Sequence, residues 1–83
     1  MKQVFKKGDI VASMAGHDEG RIYIVVEYAQ TDFVYLADGR YRTLKNKKLK
    51  RNKHLKYLST IDLPDKLKET DIKLAIKNYI KGI

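Results

Sequence analysis

The 83-residue chain has no cysteine, a single proline at position 64, and no apolar run longer than the five residues IYIVV at 22–26. The missing cysteines exclude disulfides and thiolate zinc sites. A five-residue run falls far short of the ~20 apolar residues that span a bilayer. The opening MKQVFKKGDIV lacks the apolar core of a secretion signal. Together these absences predict a small soluble protein of one domain in a reducing compartment, the cytoplasm. Two histidines and the adjacent Asp18-Glu19 pair do not have the spacing of a metal site, so neither metal nor cofactor is expected.

A further absence is local. Residues 40–57, RYRTLKNKKLKRNKHLKY, contain nine Lys or Arg and no acid, while the rest of the chain carries nine basic and ten acidic residues. The net charge of +8 therefore resides in this stretch. Long blocks of like charge are often disordered tails. Here no more than two basic residues are consecutive, and Tyr41, Leu44, Leu49, Leu55 and Tyr57 interrupt them. The pattern predicts strands at 40–44 and 54–58 joined by a mobile basic loop, 45–53. A helix over 44–58 competes, because Leu44, Leu55 and Leu58 fall on one helical face, although Lys48 and Arg51 would interrupt it. Nine cations in one segment repel each other unless an anion relieves them, which favours a polyanion partner over a merely solvated face. The candidate contacts are Arg40, Tyr41, Arg42, Lys45, Lys47, Lys48, Lys50, Arg51, Lys53 and Lys56. Arginine forks suit phosphate oxygens, and tyrosines suit unpaired bases.

Period-two alternation marks the remaining strands. Ile10, Ala12 and Met14 alternate with Val11 and Ser13; Ile22, Ile24, Val26 and Tyr28 share a face; Phe33 and Tyr35 oppose Val34 and Leu36. Apolar residues on both faces predict a small closed barrel with part of its outside covered. Asp38-Gly39 reads as a two-residue hairpin into a strand starting at Arg40, with Arg40 and Arg42 on the same side. The loop Gly16-His17-Asp18-Glu19-Gly20 has glycines suited to positive φ, and His17 and the following Arg21 are further candidates for polyanion contact. Residues 59–68 read as a linker. Ile72, Ala75, Ile76, Tyr79, Ile80 and Ile83 form one stripe of a helix over 69–83, with Thr70 as its N-cap.

The runs GDIVASMAGHDEGRIYIVVEY (8–28) and DFVYLADG (32–39) resemble the KOW-domain RNA-binding proteins. The similarity is to large-subunit ribosomal KOW proteins of the archaeal and eukaryotic type and to their stand-alone bacterial relatives. It rests on Gly8-Asp9, Gly16, Asp18, Gly20, Arg21, Val25-Val26 and Asp38-Gly39, within a span of about 6–58. Glu19 and Tyr23 stand where many KOW motifs have Lys and Gly, so the resemblance assigns no phosphate contact to position 19. It implies a mainly β fold, a five-stranded SH3-like barrel over 1–58 with a C-terminal helix. It also implies association with RNA, ribosomal RNA or the ribosome and its proteins.

Rival readings are weaker. His17 and His54 are suited to acid–base chemistry on a phosphate, but nothing in the sequence brings them together, so no enzyme is expected. The helix with Lys73, Lys77 and Lys81 has the composition of a membrane-surface helix, yet two-sided strands need a cover, which places it on the domain. An SH3-like protein-interaction module of the transcription or translation machinery is the alternative to RNA binding.

Overall fold

The computed structural model describes residues 4–82. Five antiparallel strands form one sheet: β1 (Asp9–Ser13), β2 (Ile22–Tyr28), β3 (Phe33–Ala37), β4 (Lys48–Arg51) and β5 (Leu55–Thr60). Their order is β4-β3-β2-β1-β5, and the helix α1 (Glu69–Lys81) follows. Single 3-10 turns lie at Leu44–Asn46, before β4, and at Asn52–His54, between β4 and β5.

Alternation along the central strands builds two cores. Val11, Tyr23, Val25, Val34 and Leu36 point to the concave side, where they meet Phe5 and Leu55. Ile10, Ile24 and Ala37 point the other way and bury Ile72 of α1, with Ile22, Val26, Leu58, Ala75, Ile76 and Tyr79 around them. The helix therefore covers the outer apolar face, as two-sided strands require. Register shifts between Ile10 and Val11 and between Val25 and Glu27 are irregularities that bend a sheet. The bending brings Leu55 of one edge strand into the same cluster as Val34 and Leu36 beside the other.

The sheet nevertheless does not close into a barrel. Among the described residues no ladder joins β4 to β5, which remain its two edges. Side chains and a loop link the two ends instead: Lys50 of β4 donates to the carbonyl of Ala15 at 2.8 Å, and the Met14 N–H donates to the carbonyl of His54 at 2.8 Å.

Four sequence expectations need correction. Residues 40–44 are not a strand, because the Asp38 carboxylate accepts the N–H groups of Arg40 (2.9 Å) and Arg42 (2.8 Å). The carbonyl of Arg42 accepts those of Asp38 and Gly39. These bonds close a loop over 38–42 and withdraw its backbone from any ladder. Second, the expected basic loop 45–53 contains β4, which pairs Val34 with Lys50 and Leu36 with Lys48. Third, the strand expected over 54–58 starts at Leu55 and runs to Thr60, into the expected linker. Fourth, the N-cap is Lys68 rather than Thr70; its N–H donates to the Asp71 carboxylate at 3.0 Å. The helix span itself agrees with expectation up to Lys81, and Ile83 lies outside the described residues. No described helix is long and apolar enough to cross a membrane.

Candidate functional site

The basic residues divide into two groups. Because Val34 and Leu36 face the concave core, their cross-strand partners Lys50 and Lys48 face it too. There they meet Asp18, a carboxylate almost entirely withdrawn from water. Lys50 Nζ is 3.0 Å from Oδ1 and Lys48 Nζ is 3.3 Å from Oδ2. Ser13 Oγ donates to Oδ1 at 2.9 Å, and the Tyr23 hydroxyl donates to Oδ2 at 3.3 Å. Asp18 thus ties β4, β2 and the end of β1 together through side chains.

Burial alone would raise the pKa of Asp18. The hydrogen bonds from Lys50, Ser13 and Lys48, with the charge of Lys48, reverse that effect and hold the carboxyl well below the usual carboxylate range. The Tyr23 hydroxyl is pushed up to about 12, first by burial and then by the negative charge of Asp18. The depressed Asp18 pKa fixes the sign of its acid response. Its stabilisation is fully present above the unfolded Asp value of ~3.9 and is lost as pH falls from there toward the lower folded value. Urea midpoints measured between pH 7 and pH 2 should show a drop below about pH 4. The Asp18→Asn variant should start lower and lose less over that interval.

Lys48 and Lys50, two of the expected phosphate contacts, are thus already paired with a carboxylate of the protein itself. Lys47 is also engaged, 3.7 Å from a Glu27 oxygen and 5.4 Å from the centroid of the Tyr35 ring. Lys45, Arg51, Lys53 and Lys56 are exposed, as is His17, and the Arg51 guanidinium lies 5.1 Å from the Phe33 ring centroid. Arg42 is half-buried, with its backbone holding the 38–42 loop.

Arg21, Arg40 and Tyr41 come together on one side of the molecule. The Arg21 guanidinium lies 4.3 Å from the Tyr41 ring centroid and that of Arg40 lies 5.6 Å from it. They form one wall of an open cleft of about 770 Å³ whose opposite wall is α1. Ile22, Ile76 and Ile80 supply apolar lining, and Lys73, Lys77 and Lys81 line it from the helix. The three lysines recur every fourth residue and so stand about 6 Å apart along the axis. Five lining residues are cations; one, Asp38, is an acid whose carboxylate already accepts two backbone N–H groups.

Sequence reasoning missed the helix lysines as part of this site. Their signal was present, one position on from Ile72, Ile76 and Ile80, but only the docking of α1 shows that they face the 38–42 loop. That docking depends on Gly39, which has φ +80° and lies against the Glu69 carbonyl and Lys73. It also depends on Glu69, whose carboxylate accepts the Leu44 N–H at 2.8 Å. Gly16 and Gly20 both adopt the positive φ expected of them. No group of three His, Asp or Glu suited to a metal is gathered among the described residues. No family model matches the chain, and a comparison with curated proteins returns no match.

Proposed function

We propose that the protein is a non-enzymatic RNA-binding protein of the SH3-like, KOW type, and that the cleft between the 38–42 loop and α1 receives the RNA backbone. One observation carries the reading: five cations and an exposed tyrosine gather around one cleft on a chain of net charge +8. Such a concentration of cations draws a polyanion and is neutralised by it. The strand order β4-β3-β2-β1-β5, with a 3-10 turn joining the last two strands, supports the SH3-like part. The resemblance of residues 8–39 to KOW motifs supports RNA, and with it ribosomal RNA or the ribosome in the cytoplasm. Exposed Lys45, Arg51, Lys53 and Lys56 extend the basic surface beyond the cleft.

If the five cleft cations each neutralise one phosphate, log K should fall with log salt at a slope near −3.5 on single strands, from ~0.7 per phosphate. Fluorescence anisotropy of a labelled single strand across a salt series measures this slope. A flat titration contradicts the proposal. It would favour a protein-interaction module, a reading that has its own observation. A second groove of about 440 Å³ is lined by Ile61, Leu63, Pro64, Leu67 and Tyr79, beside a Leu74 that is more than half exposed.

A further inference from the structure

Ile22 and Ile76 also pack on the outer core, but phosphate binding leaves the exposed apolar lining of the cleft, Tyr41 and Ile80, without a role. Tyr41 is 62% exposed and Ile80 is 52% exposed, and both line the same cleft as Ile22 and Ile76. Apolar surface left in water is unfavourable in proportion to its area. A site built for phosphates alone would gain nothing from it. At about 770 Å³ this open cleft falls in the size range of small-molecule sites. Its chemistry asks for a ligand with a flat apolar body and an anionic group beside it.

From this geometry, and resting on the RNA-binding reading above, we infer that the cleft seats one unpaired nucleotide, its base against Tyr41 and the isoleucines and its flanking phosphates on Arg21, Arg40 and the helix lysines. The preferred substrate is then single-stranded or looped RNA. In an A-form duplex the bases are paired and stacked, and they do not enter a cleft. Tyr41 is prepared for the task. An exposed ring on a loop ordinarily turns freely, but here the Arg21 guanidinium packs 4.3 Å from its centroid. The loop beneath it is closed by the two bonds to Asp38. A ring already fixed loses little freedom when a base stacks on it.

The test uses the full chain and three probes at one salt concentration. They are a single-stranded octauridylate, the same octamer with an abasic ribose at every position, and an A-form RNA duplex of equal length. Both octamers carry the same phosphates, so their difference reports the bases. The intact octamer should bind about ten-fold more tightly than the abasic one, since a stacked base contributes ~1–3 kcal/mol. It should also bind more tightly than the duplex. Tyr41→Ala should abolish the difference between the octamers, Tyr41→Phe should keep it, and Lys53→Gln/Lys56→Gln should weaken both octamers equally. Equal affinity for the two octamers, or preference for the duplex, overturns the nucleotide seat while leaving RNA binding in place. Failure to bind any of the three probes overturns both.

Discussion

Replacing Asp18 with alanine should destabilise the protein by about 3 kcal/mol, although Asp18 lies in a loop. Breaking a buried ion pair by removing one partner typically costs ~3–5 kcal/mol, because the remaining charge is stranded. Here two cations would be stranded, Lys48 and Lys50, which hold the two carboxylate oxygens at 3.3 and 3.0 Å. The low end of the range applies because the Lys48 side chain retains 25% of its exposure and can turn toward water. Lys50, at 11%, has less freedom and would keep only the Ala15 carbonyl. For a domain of this size the loss corresponds to a fall in Tm on the order of 15 °C. Urea and thermal unfolding measure it. A loss below about 1 kcal/mol, no more than an ordinary hydrogen bond contributes, would show that the carboxylate does not hold β4 in place.

Gly39→Val should have a comparable effect for a different reason, and it should also remove RNA binding. The φ of +80° at this position is strained for any β-branched residue, at ~1–3 kcal/mol. Space is a second obstacle. A Cβ at position 39 would stand 2.7 Å from Lys73 Cγ and 2.9 Å from the Glu69 carbonyl oxygen. Lys73 can swing aside, but the helix backbone cannot without shifting the first turn of α1. That shift strains the bond from the Leu44 N–H to Glu69 and separates the two walls of the cleft. The expected result is a loss of about 3 kcal/mol, faster amide exchange across α1 and loss of affinity for single-stranded RNA. Gly39→Ala, which already carries the Cβ, should show the same changes on a smaller scale. Unchanged protection of the helix amides would mean that the 38–42 loop does not set the position of α1.

Where the sequence was legible, local pattern and tertiary need agreed. Ile24 between Tyr23 and Val25 announces a strand with two apolar faces. Such a strand needs a cover, and the Ile72–Ala75–Ile76–Tyr79 stripe is that cover. β4 was illegible because KLKR has one apolar residue in four, and that residue, Leu49, is exposed. Its strand identity comes from pairing with β3 and from Lys50 meeting a carboxylate 32 positions away. No local propensity encodes that contact. Arg40–Arg42 was misread for the opposite reason: the Asp38-Gly39 turn signal was correct, but the Asp38 side chain captured the N–H groups that a returning strand would have used. Charge counting found the basic segment correctly. It did not show which cations are already paired within the protein, and Lys48 and Lys50 are the residues for which that matters. The cleft was half legible, since Arg21, Arg40 and Tyr41 were among the candidates, whereas the helix lysines required the packing of α1.

The proposed RNA contact lies in the cleft between the 38–42 loop and α1. Titrating the isotope-labelled full chain with a single-stranded RNA and following its amide resonances tests that location directly. The largest shifts are expected at Gly20, Arg21, Arg40, Tyr41 and the amides of Lys73, Lys77 and Lys81, with Lys48 and Lys50 little changed. Shifts concentrated instead around Ile61, Leu63, Leu67 and Leu74, or no shifts at RNA concentrations that saturate other single-strand binders, would contradict it.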